Sequence, residues 1–347
     1  MRGRRLCGVP ASDGRVLSGL SSEKYPVRWG VLAPTSTVAR LAVLPALAAS
    51  AGARLVAAAS QSCPPDQLGW LAADRVHDGY QEVLDDPDVE VVYIPLPNSL
   101  HREWTCRAVQ AGKHVLCEKP LASTGADALA MARAARAAGM VLMEAYMTPF
   151  HPRSMAVGEL VSSGRLGELR FMRAAFTGVV TRSGDHRWQP EMGGGSLLDL
   201  GIYCLAPLLG AAGRLPRRMA AAARETPAGV DASFAGWVDF GDGLAGSFEC
   251  SFEAPERQQL ELVGTEAALA VERAFTPGPG DDQMVLTGRD GSRNALVSGA
   301  GDPYLGMIEH MGAVVRGDAH LRRPPEDSVE LAGVVDQLRE LAGVGAQ

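Results

Sequence analysis

The chain has 347 residues, more than one ordinary core requires, with 46% hydrophobic residues, 21% charged residues and a formal net charge of −7. This composition excludes a largely disordered chain, and the acidic balance speaks against a nucleic-acid partner, which needs a basic face. The six cysteines lie apart, with no C-x-x-C pair and no Cys/His cluster, so no metal is expected and free thiols in a reducing cytoplasm are.

Residues 1–24 carry Arg2, Arg4 and Arg5 without an apolar run behind them, and read as a loose extension rather than a signal peptide. No uninterrupted apolar run reaches the about 20 residues that span a bilayer, so no membrane is expected. From Val27 onward strand and helix signals alternate. Val27–Leu32 reads as a strand, Val38–Ala49 as a helix, Arg54–Ala59 as a strand and Tyr80–Leu84 as a short helix. Val89–Ile94, the helix His101–Ala111, the strand His114–Cys117, an Ala-rich helix capped by Ser123 or Thr124 and closed by Gly139, and the strand Val141–Ala145 follow. Such alternation predicts an α/β unit, a doubly wound parallel sheet with helices on both faces, over residues 25–148. Over 149–347 a helix at Met155–Ser162 precedes strand-like segments at Leu169–Phe176, Phe234–Phe240, Leu244–Phe252 and Leu260–Val263, then helices near Tyr304–Arg316 and Ser328–Leu341. Runs of strands without intervening helices predict a second, α+β domain with a mostly antiparallel open sheet.

The first strand–turn–helix is where a doubly wound domain holds a pyrophosphate. Here it reads Gly30-Val31-Leu32-Ala33-Pro34-Thr35-Ser36-Thr37-Val38. Gly30 is present but the later glycines of G-x-G-x-x-G are not; the hydroxyls of Thr35, Ser36 and Thr37 are available to phosphate oxygens or to the helix end. After the second strand, Ser60-Gln61-Ser62 stands where an acidic residue would take the ribose 2′-OH of NAD. Two hydroxyls and an amide without a repelling carboxylate favour NADP(H) over NAD(H).

Residues 89–121 place Pro95-Leu96-Pro97-Asn98 after one strand and Glu118-Lys119-Pro120 after the next, so Asn98, His101, Glu118 and Lys119 share one rim. The run Ala111-Gly112-Lys113-His114-Val115 with Glu118-Lys119-Pro120 resembles the A-G-K-H-V-x-x-E-K-P hallmark of the glucose-fructose oxidoreductase / inositol dehydrogenase (Gfo/Idh/MocA) family. Glu144-Ala145-Tyr146-Met147, Phe150-His151-Pro152, residues 164–169 and the stretch from Gly193 through Asp199 to Tyr203 extend the resemblance over about residues 26–345. Within the family it is most similar to the branch of D-xylose dehydrogenases, dimeric dihydrodiol dehydrogenases and nucleotide-sugar ketoreductases. The departure is Ala33-Pro34 in place of the second glycine.

The resemblance implies an NAD(P)-dependent oxidoreductase acting on a carbinol or ketone carbon of a sugar-like substrate. It assigns proton transfer to Lys119, substrate hydroxyls to Asp199, and a proton-donating or orienting role to Tyr203, which stands where many relatives carry histidine. A lysine suits that role where partial burial or a neighbouring positive charge lowers its pKa, so that the neutral amine can accept a proton near pH 7. Gly30, Thr35, Ser36, Thr37, Val38, Ser60, Gln61, Pro95, Leu96, Asn98, His101, Glu118 and Lys119 are the expected cofactor residues. Tyr146, His151, Trp188, Asp199 and Tyr203 are the expected substrate residues, with His186 and Arg187 beside them. A homodimer or homotetramer is implied through the open sheet. Dihydrodiol oxidation, and a non-catalytic relative suggested by the altered turn, are the alternatives.

Overall fold

The computed structural model describes residues 25–182 and 184–344, so the extension expected at 1–24 lies outside the described residues. Val27–Leu32 forms β1, and its period-2 alternation buries Trp29 and Val31 on one face and Leu32 on the other. Helix α1 opens with a wide turn over Ala39–Val43 and continues as Leu44–Ala49. There follow β2 (Ala53–Ala59), β3 (Arg75–His77), α2 (Tyr80–Asp85), β4 (Val91–Ile94), α3 (His101–Gln110), β5 (His114–Glu118), α4 (Gly125–Ala138) and β6 (Leu142–Ala145). The six strands are all parallel, in the order β3-β2-β1-β4-β5-β6. The order reverses between β1 and β4, which opens a crevice at their carboxyl ends. Thr124 caps α4 by accepting from the Asp127 amide, and Gly139 ends it in the left-handed region, as the sequence suggests. Strand β3 has three residues, too few for a periodic signal.

The second half contains α5 (Pro152–Ser162), β7 (Leu169–Thr177), α6 (Ile202–Ala212), β8 (Arg218–Glu225), β9 (Asp231–Gly241), β10 (Leu244–Ser251), β11 (Arg257–Gly264), β12 (Ala267–Glu272), β13 (Gln283–Gly288), β14 (Arg293–Val297), α7 (Pro303–Val315) and α8 (Pro325–Ala342). Its eight-stranded sheet runs β14-β13-β12-β11-β7-β10-β9-β8 and is antiparallel except where β7 meets β10. One face of the sheet packs on α6; the other carries Phe171 and Trp237 in the open. The core formed by the inner face is continuous with one side of the parallel sheet.

Residues 190–212 form a helical stretch long and apolar enough to cross a bilayer by length and composition, although no uninterrupted apolar run marks it. Most of the stretch is buried inside the protein as its central helix. The chain end returns to the first sheet: the Gly125 amide donates to Asp336 Oδ2 at 2.7 Å, fixing α8 on α4. At the end of β6, Glu144 accepts from the Leu121 amide (2.8 Å), Ser328 Oγ (2.7 Å) and Arg323 Nε (3.1 Å).

Candidate active site

The turn after β1 is built without its usual glycine. Ala33 takes φ of +50°, the left-handed conformation a second glycine would supply, and its amide donates to Ala59 O at 2.8 Å. The Ser36 amide donates back to Ala33 O, and Ser36 Oγ accepts from the Ala39 amide at 3.3 Å. The first amides of the helix, around Thr37 and Val38, have no preceding turn to bond to, which suits a phosphate. Thr35 Oγ1 lies 3.4 Å from Ser60 Oγ and 3.2 Å from Ser62 Oγ, and the two serine oxygens are 3.2 Å apart. Three hydroxyls thus meet at the end of β2, with Gln61 exposed between the serines.

Gly30 corrects an expectation. It sits inside β1, and a Cβ there would come within 2.7 Å of Val83 Cγ1 and 3.0 Å of Val89 Cγ1. Its missing side chain admits the packing of α2, not the approach of a phosphate.

On the next rim, His101 also differs from its expected role. The ring is fully buried, with Nδ1 2.8 Å from Pro120 O and Nε2 2.8 Å from Leu96 O. It braces the Pro95–Asn98 segment against the Glu118-Lys119-Pro120 turn and presents nothing to a ligand. Burial holds its pKa below the ordinary value. A neutral ring has one N–H for two carbonyl acceptors, so one of these contacts lacks a proton at neutral pH. Glu118 is likewise internal: Oε1 accepts from Tyr93 OH at 2.7 Å, Oε2 accepts from the Lys119 amide at 3.1 Å, and burial pushes its carboxyl pKa up. It shapes the turn from which Lys119 projects.

Lys119 meets Asp199 across the crevice. Nζ lies 2.5 Å from Asp199 Oδ1 and 3.0 Å from the Asp199 carbonyl, and 5.1 Å from the centroid of the Tyr203 ring. Asp199 Oδ2 lies 2.9 Å from Arg187 Nε, an ion pair whose N–H is not aligned on the oxygen. Burial raises the Asp199 pKa, but Lys119 and Arg187 together outweigh it and hold the carboxylate below its ordinary range. Tyr203 is buried among Tyr146, Phe176 and Phe275; its hydroxyl reaches Met147 Sδ at 3.8 Å, and burial raises its pKa well above the ordinary phenol. Asp199 and Tyr203 therefore do converge on Lys119, one by its carboxylate and the other by its ring face.

The glycine loop sets this geometry. The Gly195 amide donates to Arg187 O and the Gly194 amide to Gln189 O, both at 3.0 Å. Gly195 has φ of +123°, and a Cβ there would lie 2.2 Å from Asp231 Oδ1. Asp231, which sequence reading passes over, is 2% exposed and accepts from Ser196 Oγ (2.8 Å) and the Leu197 amide (2.7 Å). Ser196 commits its hydroxyl to this bond and makes no side-chain helix cap. Asn98 Nδ2 donates to Gly193 O at 2.8 Å, tying the rim of the first sheet to the loop of the second domain.

Two expected substrate residues lie elsewhere. His151 is fully buried and caps α5, its Nδ1 accepting from the Arg153 amide at 3.1 Å. Tyr146 is 4% exposed and packs behind Tyr203 with ring centroids 5.1 Å apart. Trp188 is partly exposed next to Arg187, with Nε1 donating to Val180 O at 3.2 Å and its ring edge-on to Phe252.

Comparison with known proteins agrees with this architecture. Residues 37–146 match the model of the oxidoreductase family with an NAD-binding Rossmann fold, and residues 155–270 match the GFO/IDH/MocA C-terminal domain. A dTDP-3,4-didehydro-2,6-dideoxy-alpha-D-glucose 3-reductase of Streptomyces antibioticus is 32% identical over 327 residues, covering 92% of this chain and 98% of the relative. A D-xylose 1-dehydrogenase (NADP(+)) of Haloferax volcanii is 31% identical over 328 residues, covering 92% and 98%. The crystal structure of a 3-ketoreductase from Actinomadura kijaniata, in complex with NADP and TDP-benzene, superposes with a TM-score of 0.83 at 30% identity, covering 91% and 97%. With its two domains matched in order and relatives aligned over nearly their whole length, the chain belongs to the Gfo/Idh/MocA family of oxidoreductases.

Proposed function

We propose that the protein is an NADPH-dependent ketoreductase of a nucleotide-linked sugar, with Lys119 as the proton donor to the carbonyl oxygen. The observation that carries this reading is the Lys119–Asp199 pair. Asp199 Oδ1, 2.5 Å away, holds Nζ in the crevice, where it can give a proton to a ketone oxygen as that becomes an alkoxide. The Asp199 carbonyl fixes a second of the three ammonium hydrogens, which leaves one for the substrate. Asp199, held in turn by Arg187, keeps Nζ aimed into the crevice; Tyr203 closes its other side with a ring that excludes water. Proton donation from the Tyr203 hydroxyl, 3.8 Å from Met147 Sδ, requires it to turn away from that sulfur.

The residues present fit a nicotinamide dinucleotide. Ala33 in the left-handed region gives the turn a backbone that glycine adopts freely, which supports a bound dinucleotide over a non-catalytic relative. Ser36, Thr37 and Val38 would hold the pyrophosphate at the start of α1, and Thr35, Ser60 and Ser62 a 2′-phosphate. When bound, the dinucleotide supplies the hydride.

Purified protein mixed with NADPH and a dTDP-linked 3-ketosugar should consume NADPH, with a kcat/KM at least about tenfold above that for NADH. Turnover only as NADP reduction by free D-xylose would overturn the ketoreductase reading. Lys119→Ala should cost about 10²–10⁴ in kcat.

The reading includes a homodimer through the open sheet face, where Trp237, Ser247, Arg173 and Glu261 stand in register across four strands. Trp237 is 41% and Phe171 61% exposed, an apolar surface that a second copy would cover. Sedimentation at micromolar concentration should give a dimer or larger, and Trp237→Glu a monomer.

A further inference from the structure

Beside Tyr146 the structure contains a cavity of about 350 Å³. Its floor is apolar: Val157 and Val161 of α5, Pro207 of α6, Leu260 and Leu262 of β11, and Phe275. The volume lies at the small end of pockets that take organic ligands, about 300–1,000 Å³. Three guanidinium groups also line it. Arg153 is 3% exposed and bonds only backbone carbonyls, Arg273 O at 2.6 Å and Gln283 O at 3.5 Å; no carboxylate lies within ion-pair distance of it among the described residues. Arg322 donates to Pro149 O at 2.9 Å and stands 5.5 Å from the Phe150 ring centroid. Arg323 gives Nε to Glu144, while its Nη2 is buried without a hydrogen-bond partner. Asp327 is the one carboxylate in the lining; Glu144 pairs with Arg323 and the charges of Asp281 and Asp282 act on Arg153, which leaves Arg322 as the lining cation without an ion pair among the described residues.

The rim thus offers a cation to an acceptor, while the apolar floor beside it offers none. One ligand chemistry answers both surfaces. We propose that this cavity is a binding site for a small amphiphilic carboxylate, with its hydrocarbon or ring body on the Leu260/Leu262/Phe275 floor. Its carboxylate accepts from Arg322, exposed at the rim. The site is separate from the reaction proposed above and touches it through Tyr146 and Phe275, whose ring centroids lie 5.1 and 6.4 Å from that of Tyr203. Occupancy would therefore bear on the ring that shields Lys119.

Calorimetric titration of the full chain, without dinucleotide or sugar, tests binding independently of any turnover. Octanoate, octylammonium and acetate are the probes. Octanoate should bind at least about tenfold more tightly than the other two, since it alone has both the apolar body and the negative charge. Arg322→Gln should weaken octanoate about five- to tenfold. Leu262→Trp, which fills the floor, should abolish its binding while NADPH still binds; if that variant does not fold, Val157→Phe fills the cavity from α5 instead. Absence of octanoate binding, equal binding of octanoate and octylammonium, or undiminished binding in the filled variant that folds would each overturn the proposal.

Discussion

Asp199 holds Lys119 twice, by its carboxylate at 2.5 Å and by its own backbone carbonyl at 3.0 Å. Removing the charge alone should therefore loosen the ammonium without releasing it. Asp199→Asn is expected to lower kcat by up to about 100-fold, the scale of a misplacement near 1 Å, with a small change in KM for NADPH. Steady-state kinetics with varied NADPH separates the two; a rise in that KM with kcat unchanged would place Asp199 in cofactor binding instead.

The same carboxylate sets a pH dependence of stability. Its pKa in the folded protein lies below the ordinary 3.8, because Lys119 and Arg187 outweigh burial. An acid with a depressed folded pKa stabilises the fold above its unfolded pKa, and that contribution is lost as pH falls through the folded value. The Tm difference between wild type and Asp199→Asn should be full at about pH 5 and shrink towards about pH 3. A constant difference over that range would contradict the pairing.

Gly195 should be intolerant of any side chain. A Cβ there meets Asp231 Oδ1 at 2.2 Å, and φ of +123° is strained for any other residue. Gly195→Ala is expected to destabilise by about 2–4 kcal/mol in denaturant unfolding, while Gly210→Ala, whose Cβ meets nothing within 4 Å, should be near neutral.

Ala33 offers the opposite case. An L-residue in the left-handed region costs about 1–2 kcal/mol, whereas glycine costs about 0.4–1 kcal/mol through the unfolded chain. Ala33→Gly should thus stabilise the protein by up to about 1 kcal/mol and leave the Kd for NADPH the same or tighter. Thermal unfolding with and without NADPH reads both.

The hydroxyl trio at the end of β2 predicts cofactor choice. Ser62→Asp puts a negative charge where a 2′-phosphate would lie and should raise the KM for NADPH at least about tenfold, with NADH little affected. Equal loss with both cofactors would mean that the trio does not sense the phosphate.

The parallel sheet was legible because each of its longer strands is an apolar run bounded by turn residues, and Lys119 because a strand end exposes what it carries. Strand β8 was not legible. Its Met219-Ala220-Ala221-Ala222-Ala223 core favours helix locally, and pairing along β9 overrides that preference. The motif residues divide by packing, which spacing does not reveal. His101, Glu118, Tyr146 and His151 lie inside and shape the site or its surroundings, while Asp199 reaches the lysine. Arg187 sits 12 positions before Asp199 on a separate short helical turn, so no periodicity links them.

The bond between Gly125 and Asp336 spans 211 positions and braces the helix that follows the Lys119 turn. At roughly 5–20 residues per second of synthesis, Asp336 leaves the ribosome roughly 10–40 s after Gly125. During that interval α4 has an apolar flank with no α8 to cover it, and Leu121 and Glu144 lack Arg323 and Ser328 beside them. The helix after the Lys119 turn is thus completed by residues far downstream, and the contacts around it are all present only once Asp336 has been made.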